Sequence, residues 1–96
     1  MIHSFKHKGL ERFFVRGSTA GIQASHGHRL RLILGRLNVA EDSHDMDLPG
    51  LYLHRLKGSK KRKASARWSV RVSANWRVTF SFSGRDVVEV DYEDYH

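Results

Sequence analysis

Apolar residues recur along this chain with two different periods. Leu30, Ile33, Leu34 and Leu37 fall at i, i+3, i+4 and i+7, with Arg29, Arg31, Arg36 and Asn38 between them. A single stripe at 3.6-residue spacing predicts an amphipathic helix over residues 23–40. Leu10, Phe13 and Phe14 repeat the spacing on a stretch that ends at Gly17-Ser18-Thr19, which predicts about two helical turns over Lys8–Arg16. From Trp68 the period drops to two. Trp68, Val70 and Val72 alternate with Ser69, Arg71 and Ser73, and Trp76, Val78, Phe80 and Phe82 alternate with Arg77, Thr79 and Ser81. The reversal Ser73-Ala74-Asn75 between the two runs makes them an antiparallel hairpin. Arg71 and Arg77 settle which face is outward, because a slip of one residue buries both charges. A second turn, Ser83-Gly84-Arg85-Asp86, leads to a last strand in which Val88, Val90 and Tyr92 alternate with Glu89 and Asp91. Residues 51–56 add a strand before the hairpin, and residues 2–5 an edge strand at the start.

The resulting order, β-α-α-β-β-β-β, is an α+β fold: two N-terminal helices packed on one face of a twisted antiparallel β-sheet, with the other face open. No repeat, linker or low-complexity stretch divides the chain, and the single proline, Pro49, precedes Gly50 in a turn. Ninety-six residues therefore read as one domain over residues 1–96, too short for a two-domain enzyme. By parity, Arg71, Arg77, Thr79, Ser81, Glu89 and Asp91 project from the open face, and a loop over residues 58–66 rims it.

Composition narrows the class. The chain is 40% hydrophobic and 28% charged, which fits a folded domain rather than a disordered tail. It has no cysteine, so a disulfide framework and a thiolate zinc site are excluded. Neither a signal-peptide apolar stretch near Met1 nor a membrane-length apolar run is present, so a cytoplasmic location with no membrane association is expected. The formal net charge is +7. Its distribution matters more than its size. Residues 48–85 hold ten basic residues (Arg55, Lys57, Lys60, Lys61, Arg62, Lys63, Arg67, Arg71, Arg77 and Arg85) and no acid, whereas Asp86, Glu89, Asp91, Glu93 and Asp94 crowd the end. Such segregation points to a phosphate-binding face and a polyanionic partner.

Seven histidines raise the question of a metal. Their spacing argues against one: His26-x-His28 sits at a helix start, His3 and His7 straddle a strand-to-helix junction, and nothing completes a ligand set. The acidic stretch Glu41, Asp42, His44, Asp45, Asp47 lacks the glycine and terminal glutamate of a calcium loop. No metal and no cofactor are expected. Two histidines stand apart, His54 directly before the basic segment and His96 at the end of the sequence. An imidazole beside phosphate-binding cations suits RNA cleavage, because RNA brings its own nucleophile. The 2′-OH attacks the adjacent phosphorus, and the protein needs only a base, an acid and charge stabilisation.

The motifs Ile2-x-Ser4-Phe5-Lys6-His7-Lys8-Gly9-Leu10, Leu53-His54-x-Leu56-Lys57-Gly58, Trp68-Ser69-Val70, Ala74-Asn75-Trp76-Arg77-Val78-Thr79-Phe80 and Asp91-Tyr92-Glu93-Asp94-Tyr95-His96 span nearly the whole chain. In this order they resemble the HigB branch of the RelE toxin superfamily. The resemblance implies a RelE-like microbial RNase fold and the toxin of a bacterial type II toxin–antitoxin pair. It further implies a ribosome-dependent endoribonuclease that cuts mRNA during translation on the 30S/70S ribosome, held inactive by a cognate HigA-like antitoxin that carries the helix-turn-helix DNA-binding function. It assigns catalysis to His54, Asp94, Tyr95 and His96, and phosphate contact to Lys57 and Arg77. On that basis His54 or Asp94 accepts the 2′-OH proton, His96 protonates the leaving 5′-oxygen, Lys57 and Arg77 neutralise the phosphorane, and Tyr95 positions or stacks a base. Arg71, Lys60, Lys61, Arg62, Lys63 and Arg67 extend the RNA contact. Many relatives have a shorter link between the Lys-Gly motif and Trp68, and against that resemblance the longer basic run here implies either stronger ribosomal RNA contact or a different codon choice. The alternative from a different class is a non-catalytic basic RNA- or ribosome-binding protein, which explains the basic face and leaves His54 and the terminal Asp-Tyr-His without a role.

Overall fold

The computed structural model describes residues 1–56 and 66–95. Helices α1 (Lys8–Arg16) and α2 (Gly27–Val39) precede strands β1 (His54–Leu56), β2 (Arg67–Ser73), β3 (Trp76–Ser83) and β4 (Asp86–Asp94), with 3-10 turns at Ala24–His26 and Ser43–Met46. The strands pair antiparallel in the order β1-β2-β3-β4.

Helix α1 has the expected bounds because both ends are capped. His7 Nδ1 accepts from the Leu10 N–H at 3.0 Å, and Gly17 takes the left-handed conformation (φ 76°) that lets its N–H close on the Phe13 carbonyl at 2.8 Å. Leu30, Ile33, Leu34 and Leu37 of α2 are all buried, as their spacing predicts, and share one apolar cluster with Leu10, Phe13, Val70, Val78, Phe80, Val87, Val90 and Tyr92. Gly9 and Gly21 touch backbone to backbone; a Cβ on Gly21 would lie 2.6 Å from the Gly9 Cα, so only glycine lets α1 and the following loop approach this closely.

Several expected elements differ, each for a physical reason. Helix α2 begins at Gly27 rather than residue 23, because extended Gln23 donates its N–H to the Tyr92 hydroxyl and a 3-10 turn follows it. The strand expected over residues 51–56 shortens to His54–Leu56, since Gly50 (φ 85°) and Tyr52 (φ 49°) are both left-handed. The N-terminal edge strand is reduced to two isolated parallel bridges, Ile2 with Val87 and Phe5 with Val90. Between them β4 bulges. Thr79 and Ser81 of β3 face Asp91 and Val88, one residue more on β4, and Glu89 (φ 53°) turns its N–H to Ser4 Oγ at 2.8 Å. The bulge shifts parity, so Val87 rather than Val88 joins Val90 and Tyr92 in the core. A second bulge on β2 puts Ser73 opposite Trp76 and turns it to the helix side.

Two polar residues of α2, placed on its outer face by periodicity, act as tethers. Arg29 Nη2 donates to the carbonyls of Gly50 and Arg71, and Asn38 Oδ1 accepts from the Ile2 N–H at 3.1 Å.

Candidate functional site

The sheet face away from the helices carries the candidate site. Ladder register alone lines up His54, Ser69, Thr79 and Asp91 across all four strands, and Arg71, Arg77 and Glu93 across β2, β3 and β4. At roughly 4.8 Å between strands, the backbones of His54 and the β3 residues are about 10 Å apart. That is the scale of a nucleotide.

Sequence parity predicts this face to be open, and its centre is not. Ser69, Thr79 and Ser81 are buried, Thr79 completely. Arg67 lies over them, donating from Nη2 to Thr79 Oγ1 at 3.0 Å and from Nη1 to Ser81 Oγ at 3.3 Å. The Thr79 hydroxyl in turn donates a hydrogen bond to Glu93 Oε2 at 2.6 Å. A cation, a hydroxyl and a carboxylate thus form one chain of charge-assisted bonds, which fixes the Arg67 guanidinium in place.

Arg77 sits beside this chain, in register with Glu93. Its Nη1 donates to the carbonyls of Ala74 at 2.7 Å and Trp76 at 3.0 Å, and its guanidinium lies 5.8 Å from the centre of the Tyr95 ring. Tyr95 is held in turn through its N–H on the Asn75 carbonyl at 2.8 Å. Burial pushes the Tyr95 hydroxyl above the usual phenol range; Glu93 and Asp91 push the same way, and Arg67 and Arg77 oppose them. Near neutral pH it is a neutral hydrogen-bond donor. Arg71 lies over the ring of Tyr52 at 5.6 Å.

Of the residues expected to act, His54, Arg67, Arg71, Arg77 and Tyr95 share this face. His54 is exposed at the start of β1. Asp94 does not join them. It pairs with Trp76, and its charge helps raise the Tyr92 hydroxyl on the helix side, after burial, with the Gln23 N–H opposing. Lys57, Lys60, Lys61, Arg62, Lys63 and His96 lie outside the described residues.

Sequence reading missed two features. Glu93 emerges as the acceptor at the end of the Thr79 chain, a role visible only once β3 and β4 are in register. His26, marked in the sequence only as part of a pair at a helix start, is buried. Its Nδ1 meets the Tyr92 hydroxyl at 2.6 Å, its Nε2 meets Ser73 Oγ at 2.8 Å, and its ring stands edge-on to Trp76. The signal was present, for His26 lies four residues before Leu30 and extends the same stripe. Among the described residues there is no group of three His, Cys, Asp or Glu able to hold a metal, and no helix is long and apolar enough to cross a membrane.

A family model described as the RelE-like toxin HigB of type II toxin–antitoxin systems matches residues 3–96. Endoribonuclease HigB of Proteus vulgaris is 40% identical over 96 residues, covering 100% of both chains.

Proposed function

Since this chain belongs to the HigB-like family of RelE-like toxins from type II toxin–antitoxin systems, we propose that it is an endoribonuclease that cleaves mRNA on the translating ribosome and is held inactive by a cognate antitoxin. The observation that carries this reading is the convergence of His54, Arg67, Arg71, Arg77 and Tyr95 on one sheet face. A single-stranded substrate laid across the strands meets an imidazole on one side and fixed guanidiniums on the other.

In the proposed reaction His54 accepts the proton of the 2′-OH as that oxygen bonds to the adjacent phosphorus. The bond from phosphorus to the 5′-oxygen breaks, and His96 protonates the leaving oxygen. The products are a 2′,3′-cyclic phosphate and a 5′-OH end. Arg77 and Lys57 neutralise the pentacoordinate phosphorus, where positioned cations help most because charge develops there. Tyr95 orients or stacks a base. Register favours His54 over Asp94 as the base, because Asp94 pairs with Trp76 on the Tyr92 side. The lysine-rich run at 60–63 adds phosphate contacts to ribosomal RNA, each raising the salt dependence of binding. A HigA-like partner with a helix-turn-helix supplies inhibition and DNA binding.

Single-turnover cleavage of mRNA on programmed ribosomes, beside the same mRNA without ribosomes, tests both parts. His54→Ala should slow cleavage by about 10²- to 10⁴-fold, the usual contribution of one acid–base group. Full activity in that variant refutes the mechanism, equal cleavage of naked mRNA refutes ribosome dependence, and no cleavage by wild type supports a binding protein instead.

A further inference from the structure

Two tyrosines on this face are each covered by an arginine, Tyr95 by Arg77 and Tyr52 by Arg71. The two arginines are themselves direct partners across the β2–β3 ladder. We infer that Tyr52 and Arg71 form a second base-stacking subsite for single-stranded RNA, distinct from the one at Tyr95 and Arg77, with the phosphates between the two bases drawn to the paired guanidiniums. This subsite rests on the RNA-cleaving function proposed above.

Three observations support it. Tyr52 is 69% exposed, so its ring contributes little to the core and has a face available for stacking. Its φ of 49° is a conformation that non-glycine residues rarely adopt. Such strain persists only where neighbours impose it, and here the Leu51 N–H on the Leu48 carbonyl and the Arg71 N–H on the Leu51 carbonyl fix the preceding residue. The ring is thereby held out over the sheet rather than folded into the core. Finally, like charges directly opposed on a sheet repel. Glu93 lies directly opposite Arg77 on β4, while Arg71, with Arg77 on one side and Tyr52 over it, has no acid directly opposite it among the described residues; a phosphate at this point relieves the repulsion.

The spacing also defines the ligand. From β1 to β4 the sheet is about 14 Å across, roughly four times the ~3.4 Å rise of a stacked strand. Bases seated on Tyr52 and Tyr95 are therefore not neighbours, and the strand between them crosses both arginines. Aromatic rings and arginines alternating along a groove are a sequence-tolerant way to hold unpaired RNA.

The full-length protein is titrated into 2′-O-methyl RNA heptamers, which lack the attacking hydroxyl and stay intact, with 2-aminopurine at one position at a time. Stacking quenches this fluorophore, so wild type should quench at two non-adjacent positions. Tyr52→Leu should lose one of them and bind roughly tenfold more weakly, about one base stack, with an unchanged circular dichroism spectrum. Tyr95→Leu should lose the other, and Tyr52→Phe should keep both, since the ring and not the hydroxyl does the stacking. Retention of both quenched positions and of wild-type affinity in Tyr52→Leu overturns the subsite and leaves the RNA reading standing. Absence of binding and of quenching in wild type also overturns the subsite, while the RNA reading is decided separately by cleavage on programmed ribosomes, where an inactive wild type refutes it.

Discussion

Thr79→Val tests whether the polar centre of the sheet is held by the hydroxyl or merely tolerated there. Valine keeps the branched shape and replaces Oγ1 by a methyl group. Two bonds vanish, one received from Arg67 Nη2 at 3.0 Å and one given to Glu93 Oε2 at 2.6 Å, both with charged partners. A hydrogen bond to a charged group contributes about 1.5–3 kcal/mol. Arg67 and Glu93 are only half-buried and recover water on one side, so the combined loss is about 2–3 kcal/mol rather than twice the single value. For a domain of this length that lowers Tm by roughly 10–20 °C, or the urea midpoint by about 1–2 M. Thr79→Ser is the control: it keeps both bonds and removes one buried methyl, worth about 1 kcal/mol. The expected order of stability in urea titrations followed by circular dichroism is wild type, then serine, then valine. A valine variant as stable as the serine one refutes the hydroxyl's role and leaves only packing at this site.

Two further outcomes follow from the buried aromatic groups. His26→Leu strips a hydrogen-bond partner from both the Tyr92 hydroxyl and Ser73 Oγ, and should destabilise by about 2–3 kcal/mol in urea unfolding; an unchanged midpoint would show that neither bond matters. Tyr92 and Tyr95 both have pKa values raised chiefly by burial. The folded protein then holds these protons more tightly than the unfolded chain, so their contribution to stability is complete below about pH 10 and is lost as pH rises through the raised values. Stability measured across alkaline pH should fall in that window, with a shallower decline in Tyr92→Phe. A decline identical in wild type and Tyr92→Phe would refute the contribution of Tyr92.

The helices were legible because a 3.6-residue stripe is redundant: Leu30, Ile33, Leu34 and Leu37 each repeat the same information, and His26 extends it. Strand parity has no such redundancy. One inserted residue reverses every later position, and nothing local to Glu89 or Ser73 announces the insertion, so Val88 and Ser73 were assigned to the wrong side. The candidate site was legible where no bulge intervened. Arg71 and Arg77 keep the face their alternation gives them. Burial at Thr79 was not legible, because it depends on Arg67 reaching across from β2 to β3. Tyr52 was hidden for a related reason, since its position follows from a backbone angle and not from its neighbours in sequence.

A 96-residue chain with its core committed to packing two helices on a sheet has little interior left for an enclosed active site. The proposed chemistry does not require one. In that proposal the nucleophile belongs to the RNA and the ribosome presents it, which would leave the protein to supply a rigid arrangement of charge. Rigidity is the harder part, because arginine and tyrosine at a sheet surface are otherwise free to rotate. Here backbone carbonyls of the β2–β3 turn hold Arg77, Thr79 and Ser81 hold Arg67, and the Asn75 carbonyl holds the backbone of Tyr95. The tight hairpin and the buried hydroxyls, rather than a pocket, are therefore what keep these groups in place before substrate arrives.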